Sequence, residues 1–565
     1  MRPLLGPHIF LNLQGITMAV VVVESPAKAK TINKYLGPGF TVLASYGHVR
    51  DLPPKDGSVD PDNDFEMLWE VGAASKKHVK AIADALKDDN ELILATDPDR
   101  EGEAISWHLQ ETLTKRRAIK KDTPVSRVVF NAITKTAVTE AMKNPRQVDM
   151  ELVEAYLARR ALDYLVGFKL SPVLWRRLPG AKSAGRVQSV CLRIIVDREM
   201  EIEVFNAREY WTVSTSLSTP RGQVFDARLT TLGGKRLDKF DIANSTEAEL
   251  AVQAVNSRNL TATSVEAKPA SRNPSAPFMT STLQQEASRK FGMGARQTMS
   301  AAQRLYEAGL ITYMRTDGID MAPEAVHATR DVIEARYGKQ YVSASPRMYK
   351  NKAKNAQEAH ECIRPTELDQ APDKINISDI DQKKLYDLIW KRTISSQMEA
   401  ARMERTTVEI GSPDGQIGLR ATGQVVLFDG FMRVYEEGRD DSVVDDDDKR
   451  LPQITVQDVL VKGSVNPEQH HTQPPPRYTE ASLVKRMEEL GIGRPSTYAS
   501  VVTTIQDRDY VRKEKSRLIP EDKGRLVTVF LSSFFRQYVG YEFTADLERE
   551  LDDVSAGERQ YRTVL

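Results

Sequence analysis

With 565 residues, the chain is too long for one hydrophobic core, because single cores stop growing at roughly 250–300 residues, and we expect several domains. Lys plus Arg and Asp plus Glu each number 79, so the overall charge indicates no polyanionic partner and any nucleic-acid surface must be local. The two cysteines, Cys191 and Cys362, are far apart and outside any CxxC pair, which argues against a zinc site or a disulfide framework. No run of 18 apolar residues occurs, so we expect no membrane span.

The N-terminus is the first segment along the chain. Its opening residues, MRPLLGPHIFLNLQGIT, make a poor secretory signal because Gly6, Pro7 and Gln14 interrupt a short apolar patch. We expect residues 1–18 to be a disordered extension, with the natural start of the protein at Met18.

Residues 19–147 have the alternating pattern of an α/β domain. The apolar run Ala19–Val23 is typical of a strand buried on both faces of a parallel sheet. Ser25 then suits a helix N-cap, Pro26 a first helical position, and Gly37 the end of that helix. The pattern continues with the strand ELILAT, the helix GEAISWHLQETL and the strand SRVVF at 126–130. Ligands of such sheets bind beyond the carboxyl ends of the strands.

The rest of the chain alternates between helical and strand-like regions. Helical periodicity begins in VDMELVEAYLARRALDYLVGFKLSPVLW and continues in SAGRVQSVCLRIIVDREMEI. Antiparallel strands are predicted at 211–216, 224–232 and 406–434, and linkers at AKPASRNPSAPF and QPPPRY. The acidic stretch DDSVVDDDDKR is typical of a solvated connection. We expect the helices ASLVKRMEEL and PSTYASVVTTI to close the chain.

Four carboxylates are expected at one edge of the α/β sheet. Glu24 follows the first strand, whereas Asp97, Asp99 and Glu101 follow the second. If the two strands are parallel neighbours, these groups meet, and Mg²⁺ binds carboxylate oxygens together with waters and a phosphate. Acidic residues also cap strands and helices without any metal, but the matching position of Glu24 favours a magnesium site.

Basic and aromatic residues predict contacts with phosphates and bases. Lys28 lies one turn into the first helix, where it could face a phosphate or simply be a surface lysine. Arg159 and Arg160 lie beside Asp163, for which an ion pair within the helix is the simpler interpretation. The same region adds Phe168, Trp175 and Arg186. Interleaved aromatics and arginines are typical of single-stranded DNA binding, although core packing explains Trp175 equally well.

The stretch GLITYMRTDGID contains a tyrosine with an arginine two residues later. Tyr313 is the candidate nucleophile, and Arg315 could supply the positive charge that a phenol of pKa near ~10 requires. A tyrosine among apolar neighbours is more often a core residue. No GxxxxGK[ST] phosphate-binding loop is present. Because a tyrosine–phosphate ester conserves the energy of the broken phosphodiester, we expect a reaction without ATP.

Seven motifs occur in this order: VVVVESPAKAKTI, LATDPDREGEAISWHL, SAGRVQSV, FMTSTLQQEA, GLITYMRTD, QEAHECIRPT and GIGRPSTYAS. With them the chain resembles the type IA DNA topoisomerases, specifically the bacterial topoisomerase I group, from about Val20 to Leu565. The resemblance implies a multidomain α/β plus α+β fold, in which a Toprim α/β domain joins a helical and β-arch toroid with a hole large enough for DNA. The expected domains are Toprim at 19–147, a helical DNA-binding domain at 148–205 and 474–565, a β-rich arch at 206–274 and 404–473, and a helical domain with the catalytic tyrosine at 275–403.

The resemblance also implies residue roles. Tyr313 would join the 5′ phosphate of a cut strand, with Arg315 orienting that phosphate. Glu24 would help proton transfer at the 3′ oxygen, and Lys28 would stabilise the scissile phosphate. The Mg²⁺ ligands would be Glu24, Asp97, Asp99 and Glu101. The expected DNA contacts are His48, Arg159, Arg160, Asp163, Phe168, Trp175, Ser183, Ala184, Gly185, Arg186, Val187, Gln188, Arg315, His360 and Arg494.

Four departures from the family pattern are visible. Phe168 replaces a tyrosine of some relatives, and Gly318 stands where Ser or Thr is common. Cysteine-rich zinc ribbons are absent, and the chain ends at YRTVL within a helical pattern. We interpret the sequence as a partial chain, and expect cleavage and religation to persist while processive relaxation is weakened.

The resulting prediction is Mg²⁺-dependent, ATP-independent relaxation of negatively supercoiled DNA by a cytoplasmic monomer that acts on single strands, with no membrane or nucleotide partner. A topoisomerase III-type decatenase would carry a proline after the tyrosine, where this chain has Met314. A Toprim nuclease or primase could use the same carboxylates. A non-catalytic single-strand binding protein would bind DNA in a salt-sensitive way without cleaving it.

Overall fold

The computed structural model describes residues 19–89, 91–350, 361–440 and 450–565. The predicted N-terminal extension and most of the acidic stretch lie outside the described residues. The N-terminal part contains β1 Ala19–Val23, α1 Pro26–Leu36, β2 Phe40–Ala44, β3 Arg50–Asp51, β4 Val59–Asp60, β5 Glu66–Met67, β6 Glu70–Val71, α2 Lys76–Ala85, β7 Glu91–Leu94, α3 Arg100–Lys115, β8 Val125–Arg127 and α4 Lys135–Lys143. Its main sheet is parallel, in the order β2-β1-β7-β8.

The first strand and helix form where the sequence predicts them. β1 is buried along its whole length at the centre of the sheet. The Ser25 side chain accepts a hydrogen bond from the backbone N–H of Lys28, and Gly37, with φ of +80°, ends α1. The third predicted strand was expected at 126–130, but β8 ends at Arg127. The chain leaves the sheet there and approaches the tyrosine segment, where the Asn131 carbonyl accepts a hydrogen bond.

Two long helices follow, α5 Met150–Arg177 and α6 Arg186–Glu203. The Asp149 side chain caps α5 by accepting hydrogen bonds from the N–H groups of Glu151 and Leu152. Pro172 lies inside α5 without ending it.

A seven-stranded antiparallel sheet comes from two distant parts of the chain. Its strands and the helix within them are β9 Glu209–Ser218, β10 Val224–Leu232, β11 Lys235–Arg236, α7 Ser245–Asn256, β12 Leu260–Arg272, β13 Ala401–Gly411, β14 Ile417–Phe428 and β15 Val459–His471. The order is β11-β10-β14-β13-β12-β15-β9, and β9 also pairs with β10. Six strands therefore close into a ring, which removes open sheet edges along the paired segments.

Two expectations for this region were wrong. The predicted linker at 267–278 is strand up to Arg272, because β12 continues its pairing with β13 through Pro269. Beyond Thr261, β12 pairs with β13 but no longer with β15. Pro269 therefore lies where one edge of the strand is unpaired, and such an edge tolerates a residue without a backbone N–H. The predicted strand region 406–434 ends earlier, since Gly430–Arg433 forms a short 3₁₀ helix.

The segment between β12 and β13 is helical. It contains α8 Thr280–Phe291, α9 Ala295–Glu307, α10 Pro323–Tyr337 and α11 Ile380–Ser396. Its core is shared with the N-terminal sheet, since one apolar cluster includes Val21 and Phe130 together with Phe278, Tyr313 and Trp390. The tyrosine segment is therefore packed on the α/β domain.

The chain continues after the helices expected to close it. It contains α12 Glu480–Leu490, α13 Tyr498–Asp507, the hairpin β16 Val511–Glu514 and β17 Arg517–Pro520, and the helices α14 Asp522–Phe534, α15 Tyr541–Ser555 and α16 Tyr561–Val564. A single apolar cluster joins α6 to α12, α13 and this hairpin, so the two sequence segments form one body. Among the described residues, no helix combines the length and apolar character needed to cross a bilayer.

Candidate active site

Two acidic strand ends meet at one edge of the parallel sheet. β1 and β7 pair in register, with Val22 opposite Leu94, so Glu24 and Asp97 follow neighbouring strands. The Glu24 carboxylate accepts a hydrogen bond from the backbone N–H of Asp97. Burial, followed by the charge of Asp97, raises the pKa of Glu24 to about 7 despite its contact with a lysine. Glu24 can therefore hold or release a proton near neutral pH.

That lysine is Lys28, whose side chain is 1 % exposed. Its Nζ donates to Glu24 Oε2 at 2.9 Å and to Asp97 Oδ1 at 2.8 Å. Burial opposes its ionisation, but the charges of Asp97 and Glu24 outweigh burial and raise the pKa of the ammonium group. Lys28 is not the surface lysine of the simpler interpretation, because it is a buried cation between two carboxylates.

Tyr313 lies at this edge, 3 % exposed. Its hydroxyl donates to Asp99 Oδ2 at 2.6 Å, and its ring packs edge-on against Tyr306 with centroids 5.2 Å apart. Burial, followed by the charge of Asp99, raises the pKa of Tyr313 well above its usual value. The phenol is therefore protonated in this arrangement, with a carboxylate positioned to accept its proton.

The Arg315 side chain contacts the carboxylates of the acidic loop that follows β7. Its Nη1 donates to Glu101 Oε2 at 2.7 Å and lies 3.6 Å from Asp99 Oδ2. Its charge favours ionisation of Tyr313, but burial and the carboxylates outweigh it. Since its side chain is one-third exposed, an arriving phosphate could compete with Glu101 for the guanidinium group.

The tyrosine segment is attached to the sheet edge by backbone contacts. Ala132 and Thr312 form an antiparallel bridge, and the Tyr313 N–H donates to the Asn131 carbonyl at 2.8 Å. Gly309 has φ of +77°, and a Cβ there would lie 2.5 Å from the Ile133 carbonyl oxygen, so no larger residue fits without movement. Tyr313 is therefore held next to the carboxylates by the contact between the tyrosine segment and the α/β domain.

The carboxylates have the chemistry of a divalent-cation site. Two of them, on Glu24 and Asp97, already bind one positive charge, the Lys28 ammonium. Among the residues described by the structure, no three His, Cys, Asp or Glu side chains converge closely enough to bind a metal by themselves. The four carboxylates therefore do not converge into the one metal cluster that was expected. An Mg²⁺ ion bound by one or two of them would need water and substrate phosphate to complete its shell.

A cavity of about 60 Å³ opens beside Asp99 and Glu101. Four guanidinium groups line it, from Arg100, Arg159, Arg315 and Arg494. Asp99, Glu101 and Asp317 line the same cavity, and Arg100 and Arg494 are paired with Asp552. Arg159 and the one-third exposed Arg315 are therefore the groups best placed to attract a phosphate.

Behind this cavity, arginines and acids form a buried network that the sequence did not reveal. Arg186 contacts Glu548 and donates to Asp163 Oδ1 at 3.1 Å, while Arg494 donates to Asp552 Oδ2 at 2.6 Å. Glu548 and Asp552 lie one turn apart on α15, a spacing too common on helices to indicate a site. Arg186 and Arg494, which were expected to contact DNA, form ion pairs with α15.

Several other expected DNA contacts have protein partners. Arg160 forms a two-point ion pair with Asp51, at 2.8 and 2.9 Å, so the pair predicted within the helix is wrong for this residue. Arg159 lies 3.9 Å from Asp163 and donates to Ser496 at 3.0 Å. The remaining contacts are His48 with Tyr156, Phe168 stacked on Tyr164, and Tyr510 bonded to the backbone of Lys182 and Ser183.

Trp175 differs from these residues because it is 58 % exposed, so the interpretation as core packing is wrong. Its indole N–H donates to the Lys182 carbonyl at 2.7 Å, which fixes the ring at the surface. In the same loop, Gly185 is the N-cap of α6, Val187 is buried, and Gln188 donates to the Ser183 carbonyl at 3.3 Å. His360 lies outside the described residues.

Two family models match the chain. A family model described as DNA topoisomerase matches residues 147–565, and a Toprim domain model matches residues 19–133. The chain is 57 % identical to DNA topoisomerase 1 of Zymomonas mobilis over 97 % of its own length and 45 % of that protein. It is 51 % identical to DNA topoisomerase 1 of Rickettsia bellii, covering 97 % of this chain and 70 % of that protein.

A solved structure has the same fold. Full-length topoisomerase I from Thermotoga maritima superposes with a TM-score of 0.82 at 36 % identity, covering 96 % of this chain and 88 % of that one. The expected fold class, a Toprim α/β domain joined to the helical and β-rich body of this family, is confirmed.

Proposed function

This chain belongs to the bacterial DNA topoisomerase I family of type IA enzymes, and we propose that it relaxes negatively supercoiled DNA by cutting one strand, passing another and resealing the cut. The observation that supports this most directly is the hydrogen bond of 2.6 Å from the Tyr313 hydroxyl to Asp99, at the sheet edge where the carboxylates lie. A buried phenol that is bonded to a base, beside a lysine and an arginine, is a nucleophile held ready for a phosphate. The substrate would be chromosomal DNA, which places the protein in the bacterial cytoplasm.

Cleavage is a phosphoryl transfer to the tyrosine. The Tyr313 oxygen forms a bond to phosphorus while the bond from phosphorus to the 3′ oxygen breaks, leaving the 5′ phosphate on the protein. Asp99 accepts the phenolic proton, and Glu24, whose pKa burial raises, gives a proton to the departing 3′ oxygen. Lys28 and Arg315 bind the non-bridging oxygens of the phosphate. Religation reverses each transfer, so the reaction needs no nucleotide.

Asp97 and Asp99, with Glu24 and Glu101 beside them, are the residues that would hold Mg²⁺. Bound there, the ion would supply positive charge for the DNA phosphates. The binding of single strands is assigned to the exposed ring of Trp175 and to the guanidinium groups around the cavity.

Strand passage requires the cut to open. The tyrosine is on the helical segment, and the 3′ end would remain with the α/β domain, so separation of these two bodies would open a gate. We define the gate as the contact between the α/β domain and the tyrosine segment at Ala132 and Thr312.

A disulfide between Ala132→Cys and Thr312→Cys tests the gate. These residues form a non-hydrogen-bonded antiparallel pair, for which the Cα atoms lie about 4.5 Å apart, within the range that a disulfide bridges. The oxidised protein should still yield covalent complexes on single-stranded DNA but should not relax plasmid. The same protein reduced with dithiothreitol is the matched control and should recover relaxation. Relaxation at the reduced rate with the crosslink intact would refute opening at this contact.

A further inference from the structure

The helix that leads to Tyr313 is held at both ends by different parts of the molecule. At the C-terminal end of α9, the Glu307 carbonyl accepts a hydrogen bond of 2.9 Å from the Thr31 hydroxyl of the α/β domain. The N-terminal end lies about 20 Å away for 13 residues of helix. There α9 packs against α13, and its first residue contacts Glu480 of α12. The gate defined above therefore covers only one end of this helix.

Glu480 makes the contact at the N-terminal end. It is the first residue of α12 and its side chain is 8 % exposed. Its Oε2 accepts a hydrogen bond of 2.7 Å from the Ala295 N–H, the first in α9, and its Oε1 accepts one of 2.9 Å from Lys513 Nζ. One carboxylate thus bridges the helix that leads to the tyrosine and the C-terminal body.

The N-terminus of α9 has no cap from its own sequence and is capped by Glu480 of α12 instead. Its N-cap is Gly294, no side chain of its own caps the helix, and no acidic residue occurs in its first turn. A Cβ on Gly294 would lie 3.1 Å from Glu480 Oε2, so the glycine makes room for the carboxylate. The helix N-terminus carries partial positive charge, and with Lys513 it gives Glu480 two favourable partners.

We propose that Glu480 is a latch: a positioning residue that holds the N-terminal end of α9 against the C-terminal body while the DNA is cut, and that releases it when the gate opens. The proposal rests on the function proposed above. A cavity of about 540 Å³ adjoins the contact and is lined by Arg296, Gln297, Glu480, Gln506 and Lys513. Water in this cavity can solvate the carboxylate once it separates from Ala295, so release does not leave a dry, unpaired charge.

The latch and a purely structural cap predict different kinetics. The contacts of Tyr313 with Asp99 and Asn131 lie at the opposite end of α9, so weakening the latch leaves the attacking group in place. Cleavage should then keep its rate, while religation slows because the cut ends spend more time apart. A structural cap would instead lower both rates together with the melting temperature.

The test compares Glu480→Gln, Lys513→Met and the control Glu409→Gln in the otherwise unchanged chain. Glu409 pairs with Arg420 across two strands of the seven-stranded sheet, far in the fold from α9, and so loses an ion pair without touching the latch. Each variant is mixed with a labelled single-stranded oligonucleotide, and covalent complex is trapped with denaturant over time. Religation is followed after a chase that stops new cleavage.

For Glu480→Gln we expect religation about tenfold slower, with a matching rise in trapped complex and a cleavage rate within threefold of the unmutated chain. Lys513→Met should slow religation about threefold. If Glu480→Gln does not fold, the religation rate of Lys513→Met alone tests the latch. If both Glu480→Gln and Lys513→Met fold and their religation rates stay within twofold of the rate of the Glu409→Gln control, the latch is refuted while the proposed function stands. If the unmutated chain forms no complex, the proposed function fails and the latch with it.

Discussion

Replacing Arg127 with methionine should loosen the strand end that carries the acidic loop. Arg127 and Glu103 are both fully buried and share a hydrogen bond of 3.0 Å. The Arg127 guanidinium also donates to the carbonyls of Thr96 at 2.9 Å and Asp97 at 2.7 Å. Arg127 therefore connects the end of β7 to Asp97 of the proposed metal site.

The cost follows from these partners. Breaking a buried ion pair by removing one member costs about 3–5 kcal/mol. Arg146 still donates to Glu103 at 2.8 and 3.0 Å in the variant, which lowers the loss, whereas the carbonyls of Thr96 and Asp97 lose partners, which raises it. We expect about 4 kcal/mol in total, equivalent to a roughly thousandfold change in a local opening equilibrium.

Native-state hydrogen exchange of peptides covering β7 measures this opening without assuming that the whole chain unfolds in one step. Arg127→Met should increase exchange at Leu92 and Leu94 about a thousandfold. The control Arg146→Met removes a partner of the same Glu103 from a more exposed position and should increase exchange less than thirtyfold. Equal effects of the two variants, or an effect of Arg127→Met below tenfold, would refute the reasoning.

Three further predictions concern charge and exposure. Burial raises the pKa of Glu24 to about 7 from 4.5. The free energy of local opening at β1, measured without metal by native-state hydrogen exchange, should therefore fall between pH 4.5 and 7 by up to about 3 kcal/mol. Glu24→Gln should abolish that fall. Three arginines, Arg186, Arg494 and Arg159, overcome burial and lower the pKa of Glu548 to about 2. Its contribution to stability should therefore be present above pH 4.5 and lost towards pH 2, and Glu548→Gln should cost about 3 kcal/mol at pH 7. Trp175→Ala should weaken single-stranded oligonucleotide binding about tenfold in fluorescence-anisotropy titrations, in line with stacking of one base. Because the ring is largely exposed, the same change should alter the free energy of unfolding by less than about 1 kcal/mol. Unchanged affinity would show that Trp175 is not part of the DNA surface.

The features that local rules determine were predictable from the sequence. Ser25 and Pro26 define the start of α1 because capping depends on neighbouring residues alone. The approach of Glu24 to Asp97 was predictable as well, because carboxyl ends of adjacent parallel strands lie at the same edge. These two rules were enough to locate one side of the candidate site.

Partners that are distant in sequence could not be predicted in the same way. Arg160 could pair with Asp163 on its own helix or with any acid brought to it by folding, and Asp51 is the partner. The bond from Tyr313 to Asp99 joins residues 214 positions apart, so the protonated state of the phenol follows from docking and not from the motif. Glu480 carries no motif, and its contact with Ala295 depends on how α12 approaches α9.

Strand pairing also overrides composition. Pro269 and its serine-containing neighbours have the composition of a linker, yet β12 includes them because β13 offers a partner over its whole length. Similarly, the exposure of Trp175 could not be read from the sequence, because its neighbour Leu174 is fully buried and Trp175 lies on the outer, exposed face of the same helix end.

The central claim is that Tyr313 becomes linked to the 5′ phosphate of cut DNA. A single-stranded oligonucleotide labelled at either its 3′ or its 5′ end, mixed with the protein and stopped with denaturant, measures this linkage directly. We predict that the 3′-labelled fragment migrates with the protein while the 5′-labelled fragment is released, that Tyr313→Phe forms no complex, and that Tyr306→Phe, which alters the adjacent buried phenol, still does. A complex that persists in Tyr313→Phe, or that carries the 5′-labelled fragment, would contradict the account.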